Sequence, residues 1–517
     1  MYKKFLFGFL VLVIFIAYFI TRTIGADITG HDNKSSAFDS NTKNKTVPDD
    51  KDQVYTVVMG YIGDTQADEV QIEEAVNKIL EPALHACIDL RAYSRGGYQQ
   101  EIQLTLSGDE KLDIIPIVIF NASDYVAGGQ VIDLTDLIKR YGTNIKAAVD
   151  QEFLNVPRIG DFTYGVTTKR EQITWEGVIM RADLLKEFGY AIDGNVCTDI
   201  TNLEQLGEAY KKIKERYPDM TMLASCAAGT PLFRWEVCDN LLDGFGVLMD
   251  YGQSTRVVNL YETEEFKTFA KLIYNWNQKG YLTKDGATTT ETTINQMKSG
   301  TVFSYFTPLK AGAAEQDELS TGYDLAVAPL FGDAYITSFS VNFFTWGIAK
   351  NSRNTEIAFK VLDYMYGSPE IMNLLNWGIE DKHYKVVDSV NKVINYADGV
   401  TPGNTGYCMN IGWQLPNQEL AYVWEGETAA KWSEQRNYIA AAKHSRALGF
   451  NYDPSGVKDL LTALNNVKNE WYDAIGFGAI NPEEAIPVFN QALYDAGLQK
   501  VIDIKQKQLD AWITKQQ

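Results

Sequence analysis

A continuous apolar run near residue 115 constrains the fold more than any other feature of this sequence. Asp113 to Phe120 reads DIIPIVIF. A short, uninterrupted apolar run of this kind is typical of a β-strand that is buried on both of its faces. Such strands belong to sheets that helices cover on both sides. The run therefore predicts an α/β fold with at least one fully buried strand.

The segments around this run alternate between strand and helix patterns. Val54 to Ile62 is rich in β-branched residues and ends at a Gly-Asp turn signal, and apolar residues then recur at helical spacing from Ile72 to Leu80. Alternation of this kind indicates βαβ units and a largely parallel sheet, with a mostly helical region from about Glu425. The other predicted elements are strands at 88–90, 323–330 and 343–349, and helices at 97–106, 201–217 and 355–366 and from Pro369 onward.

The charge of the chain narrows the class of partner. The 517 residues include 47 Lys and Arg against 67 Asp and Glu, a formal net charge of −20. A nucleic-acid-binding protein would present a basic face. A net negative field also repels anionic ligands. The composition therefore argues against a nucleic-acid partner and against an anionic ligand as the default.

The N-terminus predicts export from the cytoplasm. Lys3 and Lys4 precede an apolar run from Phe5 to Ile20, which Arg22 closes. Residues 1–26 are therefore predicted to be a signal peptide or an N-terminal membrane anchor, with the rest of the chain outside the cell membrane. No cysteine follows at a lipid-anchoring position. Residues 27–53 are polar and are predicted to be a disordered tether.

The sequence offers no sign of a metal, a cofactor or a catalytic motif. The five cysteines form no CxxC pair, and the four histidines lie far apart. Phosphate-binding, zinc-protease, hydrolase and EF-hand patterns are likewise missing. We therefore predict no catalytic residue, no metal and no cofactor. A pair of carboxylates acting on a glycosidic bond stays open, because its spacing is a three-dimensional property.

Several short clusters combine aromatic residues with amides or carboxylates. A sugar presents a polarised CH face and a ring of hydroxyl groups, so an aromatic plate beside planar amides or acids suits it. In open α/β sheets, ligands bind beyond the carboxyl ends of strands, and several of these clusters follow predicted strands. The clusters lie at 61–64, 120–124, 175–177, 233–236, 304–306, 376–380, 413–418 and 424–425.

The order of the motifs along the chain resembles the extracellular solute-binding proteins of carbohydrate ABC transporters, family 1, the maltodextrin-binding-like receptors. The resemblance covers about Val54 to Ile513, and its most specific part is GIEDKHY at 378–384. That motif and the helical tail after Trp424 resemble a subgroup with an extra C-terminal helical region. The supporting segments are 61–64, 113–115, 121–124, 128–129, 133–137, 181–189, 231–235 and 297–306.

This resemblance implies a two-lobed type II periplasmic-binding-protein fold with hinge strands and a helical C-terminal extension. Lobe 1 would comprise 54–163 plus 326–368, and lobe 2 would comprise 164–325 plus 369–517. The crossing strands would lie near 163–168 and 323–330. The lobes would close around a ligand and deliver it to a membrane permease without transforming it.

The resemblance also implies a set of ligand-binding residues in the cleft. Trp175, Trp235 and Trp413 are the first candidates for stacking plates, and Tyr61, Tyr305, Phe306 and Trp377 are the second. Hydroxyl partners are expected from Asp64, Asn121, Asp124, Glu380, Asn417 and Gln418. The expected partners are a mono- or oligosaccharide, the permease subunits and, through the N-terminal segment, the membrane, with the protein a monomer on the cell surface. Two alternatives stay open: a surface enzyme that uses paired carboxylates, and a receptor of the same fold for a peptide or another non-sugar solute.

Overall fold

The computed structural model describes residues 54–94, 97–108, 110–227, 229–234, 237–401, 403–427 and 430–516. These residues belong to one compact unit, Gln53–Gln517, which is built around two separate β-sheets. The predicted N-terminal anchor and tether lie outside the described residues. Within the described part of the chain, no helix is long and apolar enough to cross a lipid bilayer.

The first sheet has the predicted buried strand at its centre. All five residues of Ile114–Val118 are buried. The strand ends at Val118, two residues before its predicted end, because the helix Ile119–Ala127 begins directly after it. The first strand, Tyr55–Ile62, runs parallel to both of its neighbours. In order across the sheet, the strands are Ala86–Tyr93, Tyr55–Ile62, Ile114–Val118, Phe344–Ile348 and Val166–Thr167.

The second sheet contains both parallel and antiparallel pairs of strands. Its central strand, Glu176–Arg181, runs antiparallel to both neighbours. The prediction of a largely parallel sheet is confirmed for the first sheet, in which four of the five strands run in one direction. The strands through which the chain enters a sheet from the other one, Phe344–Ile348 and Glu176–Arg181, run against their neighbours, and so does Ile192–Asp193 in the second sheet. In order, the strands are Thr221–Ala224, Val302–Pro308, Glu176–Arg181, Leu325–Pro329, Val196–Cys197 and Ile192–Asp193.

Helices cover both sheets and dominate the C-terminal region, as predicted. The predicted helix start at Pro369 is confirmed, because Ser368 Oγ accepts a hydrogen bond from Ile371 N at 3.3 Å and proline occupies the first turn. The α-helices are Glu69–Leu84, Tyr98–Ser107, Ile119–Ala127, Thr135–Tyr141, Thr143–Ala148, Gln151–Leu154, Ala182–Glu187, Leu203–Arg216, Glu264–Gln278, Thr293–Lys298, Ala313–Thr321, Ser338–Asn342, Thr355–Gly367, Pro369–Trp377, Lys431–Ala441, Lys458–Gly476, Pro482–Asp495 and Leu498–Gln516.

Each sheet has its own hydrophobic core, and we call a sheet with the side chains packed on it a lobe. The C-terminal third of the chain contributes to both cores. Buried side chains between Ile371 and Ile439 contribute to the core of lobe 1, beside a small separate cluster of Trp377, Tyr384 and Ile394, whereas buried side chains between Ala447 and Leu509 contribute to the core of lobe 2. The sequence-based boundary had assigned all of 369–517 to lobe 2. The difference arises because the apolar residues of 371–439 cover the first sheet.

The chain passes between the lobes three times. The first passage spans 168–175, the second spans 330–343, and the third lies near 440–446, between the two C-terminal core regions. The second and third passages are joined, since Tyr335–Ile336 pairs in parallel with Lys443–His444. The first two passages lie several residues beyond the predicted crossings at 163–168 and 323–330. The third was not predicted.

Candidate functional site

A polar cleft with a volume of about 560 Å³ lies between the two lobes. One wall comes from lobe 2 and carries Lys310, Gln316 and Ser320. The other wall comes from residues 376–432, which pack on lobe 1, and Glu171 of the first passage completes it. The aromatic lining is Trp377, Tyr396, Trp413, Tyr422, Trp424 and Trp432, and the remaining polar lining on the lobe 1 side is Asn376, Asn395, Asn410, Gln418, Glu425, Glu427 and Lys431.

Three of the aromatic rings hold one another in fixed orientations. The rings of Trp377 and Trp424 meet edge to face with centroids 5.3 Å apart, and Tyr396 lies 4.6 Å from Trp424. Trp377 Nε1 donates a hydrogen bond to Tyr422 O at 3.0 Å. Burial raises the pKa of Tyr396 to about 12, so its phenol stays neutral at physiological pH. Rings that are locked before a ligand arrives lose little conformational freedom on binding.

Trp413 is positioned by two phenylalanine rings at the start of the strand Phe344–Ile348. Its ring lies 5.2 Å from Phe344 and 6.1 Å from Phe343. The next residue, Gln414, is fully buried and bonds to the backbone of Ile62 at the end of the first strand. Trp413 is only partly buried, so one part of the indole is left for a ligand.

Four charged groups of the cleft have hydrogen-bond partners within it: Glu171, Glu425, Glu427 and Lys431. Lys431 Nζ donates to Glu427 Oε1 at 2.6 Å, and Glu427 Oε2 accepts from Trp424 N at 3.1 Å. Glu425 accepts from Asn395 Nδ2 at 2.6 Å. In the amide orientation that satisfies both of its atoms, Gln418 donates to Glu171 Oε2 at 3.2 Å. This arrangement of apolar ring faces beside amides and carboxylates suits an uncharged ligand that carries many hydroxyl groups.

Three of the predicted site residues line this cleft together. They are Trp377, Trp413 and Gln418. Asn417 lies beside Gln418 but turns away, because its Nδ2 donates to Tyr366 O at 3.0 Å inside lobe 1. Trp175 lies in the first passage, and its ring packs against Tyr438 at 5.0 Å. Trp235 lies outside the described residues.

Three predicted aromatic residues lie in the cores instead of the cleft. Tyr61 is buried in lobe 1, and its hydroxyl donates to Glu69. Burial, together with this carboxylate, holds the pKa of the Tyr61 phenol above the ordinary range. Tyr305 donates to Asp317 Oδ2 at 2.5 Å, and Phe306 packs against Phe269 and Phe331. Both belong to the strand Val302–Pro308, which is covered on both faces, so an aromatic residue there is enclosed whichever face it occupies.

The remaining polar candidates are dispersed around lobe 1. Asp64 is exposed just after the first strand, and Glu380 is exposed at a separate surface depression. Asn121 is buried and accepts from Tyr98 Oη at 3.1 Å. Asp124 forms an ion pair with Lys458 of the C-terminal helices at 2.9 Å. The structure therefore does not gather these four side chains at the cleft.

Four of the six aromatic residues that line the cleft are not among the ligand contacts predicted from the sequence: Tyr396, Tyr422, Trp424 and Trp432. Trp424 and Asn376 stood in clusters that combine aromatic and polar residues, so that signal was present. Tyr396, Asn410 and Trp432 stand in no such cluster. Their position depends on the packing of 376–432 on lobe 1, which no short spacing reveals.

Two parts of this chain match known protein families. Residues 88–371, more than half of the chain, match the family described as bacterial extracellular solute-binding protein. Residues 446–514 match a domain of unknown function. We call these residues the C-terminal domain.

Among the described residues, no group of three or more His, Cys, Asp and Glu side chains is arranged to hold a metal ion.

Individual relatives agree with this match. The chain is 27% identical over 466 residues to a carbohydrate ABC transporter substrate-binding protein of Streptococcus pneumoniae serotype 4, covering 88% of this chain and 91% of that one. Its fold matches the N-glycan transport solute-binding protein of S. pneumoniae with a TM-score of 0.79 at 24% identity, over 90% and 100% of the two chains. The complex of that protein with Man1GlcNAc gives a TM-score of 0.72 at 25% identity, over 89% and 99%.

Proposed function

Because the chain belongs to the family of bacterial extracellular solute-binding proteins, we propose that it is the receptor of an ABC importer and binds an oligosaccharide in the polar cleft. The observation that carries this proposal is the lining of the cleft, in which six aromatic rings alternate with amides and carboxylates. Ring faces stack on the CH faces of sugars. Amides and acids pair with hydroxyl groups, and a site built this way rejects ligands that leave its polar groups unpaired.

The size of the cleft supports an oligosaccharide over a single sugar. A volume of about 560 Å³ is within the range of sites for drug-sized ligands. A second, smaller cavity of about 290 Å³ shares Glu171, Lys310 and Gln316 with the cleft and extends it along lobe 2. The S. pneumoniae transport protein of similar fold binds Man1GlcNAc in its own complex. We therefore take glycans of mannose and N-acetylglucosamine as the first ligands to test.

The mechanism we propose is closure of the lobes around the ligand. The two walls of the cleft belong to different lobes, so a ligand that touches both stabilises the closed arrangement over the open one. The covalent connections that closure must bend are, within the described residues, the passages at 168–175, 330–343 and 440–446. No bond of the ligand is broken, and the closed form delivers the sugar to the permease subunits. The protein is then a binding protein and not an enzyme.

The proposed location follows from the family and the N-terminal sequence. The receptor works outside the cytoplasmic membrane, and the apolar segment at 5–20 either anchors it there or is removed as a signal. We propose that it acts as a monomer.

The proposal is tested by titrating the purified protein with Man1GlcNAc, longer mannose-containing glycans, maltodextrins and neutral peptides. We expect a rise in the melting temperature and a heat of binding with at least one glycan, because ligand binding to the folded state stabilises it. A protein that responds to a peptide and to no glycan contradicts the saccharide assignment. Release of new reducing ends from a glycan, measured under the same conditions, contradicts the assignment as a binding protein and favours a carboxylate-based hydrolase.

A further inference from the structure

A further cavity between the lobes, separate from the polar cleft, is lined mainly by apolar side chains. It has a volume of about 450 Å³ and is lined by residues of lobe 1, lobe 2 and the C-terminal domain. We call it the apolar pocket. Buried residues that line it include Tyr164 of lobe 1, Phe266 of lobe 2 and Tyr452 of the C-terminal domain. None of the residues lining the polar cleft lines this pocket.

The interior of the apolar pocket offers few partners for hydroxyl groups: among its buried lining residues, side-chain oxygens come only from the phenols of Tyr164, Tyr261 and Tyr452, and the Tyr452 hydroxyl has no hydrogen-bond partner among the described residues. Aliphatic and aromatic side chains make up most of its wall, among them Ile119, Ile159, Leu242 and Leu461. Polar side chains such as Asn240 and Asn465 are partly or fully exposed, which places them at its rim. Burying a hydroxyl group without a hydrogen bond is costly. A sugar ring therefore fits this pocket poorly, whereas an apolar group fits it well.

A row of aromatic rings connects this pocket with the polar cleft. Phe339 lines the apolar pocket, and its ring centroid lies 6.0 Å from that of Phe343. Phe343 in turn lies 6.1 Å from Trp413, which lines the polar cleft. The row belongs to the second passage and to the segment that carries the cleft. All three rings are partly exposed, so a ligand long enough to lie along them contacts both spaces.

The C-terminal domain is fixed where it can wall the pocket against both lobes. Lys458 pairs with Asp124 of lobe 1 at 2.9 Å, and Asn451 Nδ2 donates to Val156 O of lobe 1 at 2.6 Å. On the lobe 2 side, the buried Lys505 Nζ donates to Asp243 Oδ1 at 2.6 Å and to Phe245 O at 3.0 Å. These contacts hold the pocket-lining loop and helix of the domain between the two lobes.

We propose that the apolar pocket binds the apolar aglycone of a glycoside whose saccharide occupies the polar cleft. This inference rests on the proposed function and extends it to the chemical class of the ligand. It also gives the C-terminal domain a role, since Tyr452, Leu461 and Tyr472 of that domain form one wall of the pocket. An aryl or alkyl group linked to the sugar would replace water along the aromatic row and fill the pocket.

The test compares methyl and 4-nitrophenyl glycosides of mannosyl-N-acetylglucosamine by calorimetry. We expect the aryl glycoside to bind at least about tenfold more tightly, a factor that corresponds to ~1.4 kcal/mol of apolar burial. Ile159→Asp and Leu461→Asp each place a carboxylate in the pocket from a different lobe, and each should abolish the preference while the methyl glycoside binds as before. Val488→Asp, at an exposed position outside the pocket, should retain it.

The outcomes separate this inference from the proposed function. Equal affinity of the two glycosides for the wild-type protein overturns the aglycone site and leaves the saccharide receptor standing. If neither glycoside binds, the pocket is tested directly with 2-(p-toluidino)naphthalene-6-sulfonate, a dye whose fluorescence rises when it binds an apolar site. Dye bound by the wild type, displaced by 4-nitrophenol and lost in both pocket variants supports an apolar ligand site. Dye that does not bind, or that binds both variants equally well, overturns it.

Discussion

Gln414 bonds to both backbone groups of Ile62. Its Oε1 accepts from Ile62 N at 2.9 Å and its Nε2 donates to Ile62 O at 2.7 Å. The backbone oxygen of Gln414 also accepts from Trp346 Nε1 at 2.8 Å. The amide thus acts as an added strand partner for the end of Tyr55–Ile62. It ties the segment that presents Trp413 to the first sheet, 352 residues earlier in the chain.

Replacing Gln414 by methionine should destabilise the protein and weaken ligand binding. The substitution keeps the size of the side chain but leaves a buried donor and a buried acceptor of Ile62 unpaired, each worth about 1–3 kcal/mol. We expect a lower urea midpoint by chemical denaturation. Gln499→Met, at an exposed helix position, should change the midpoint little. A Gln414→Met midpoint equal to that of this control would show that the two bonds contribute nothing.

Trp413→Ala should reduce affinity for a bound glycan by about 2 kcal/mol, or roughly 30-fold, because central aromatic anchors carry much of the binding energy of a site. Calorimetry with the best ligand of the panel measures the change. The matched control is Trp512→Ala, whose ring packs on Phe450 at 6.0 Å away from the cleft. Similar losses in the two variants would argue against a stacking role for Trp413.

Glu427→Gln should destabilise the folded state by about 3 kcal/mol. The Glu427 and Lys431 side chains are only 6% and 11% exposed, and removal of one partner leaves a largely buried charge unpaired. Adding Lys431→Met to Glu427→Gln should restore much of the lost stability, because the orphaned charge is then gone. Strictly additive losses in the double variant would contradict a coupled pair. Thermal unfolding of the four proteins completes the cycle.

Asp68 should make the stability of the protein pH-dependent in the acid range. Hydrogen bonds from Lys382 and then His383 hold the pKa of its carboxyl below its ordinary value. A lowered folded-state pKa contributes stability above the unfolded pKa of about 3.9, and this contribution is lost as pH falls through the folded value. Asp68→Asn should therefore be less stable than wild type at pH 7, with the difference shrinking toward pH 2.

The control for this pH dependence is Asp64→Asn, at an exposed position in the same turn region. Its stability should follow that of the wild type across the whole range. A constant gap between Asp68→Asn and wild type from pH 7 to pH 2 would mean that the carboxylate of Asp68 is not the group that titrates.

Much of the fold could be predicted because its signals are local. The buried strand at 114–118 can be recognised in the sequence as an apolar run. The helix from Pro369 can be recognised by the serine cap and the first-turn proline at its start. The mixed direction of the sheets could not be predicted this way. Strand direction depends on where the chain crosses between lobes, and neither the third passage nor the division of 371–509 between two cores leaves a local pattern.

The candidate site was predicted in part for a related reason. Composition singles out aromatic and amide residues, and three of the residues it singled out, Trp377, Trp413 and Gln418, line the polar cleft. It cannot separate these from Tyr305 and Phe306, which have the same chemistry on a strand covered on both faces. The GIEDKHY motif illustrates the same limit: His383 bonds to Asp68 and orders the loop, while Glu380 stays exposed away from the cleft.

Apart from Glu171 of the first passage, the lobe 1 wall of the polar cleft is contributed by residues of a single stretch, 376–432, whose own apolar residues attach it to the first sheet. Variation within that stretch at cleft-lining positions such as Asn395 and Trp424, and not at Gln414 or the residues packed in the core, would alter what the protein recognises and leave both sheets and the route between them in place.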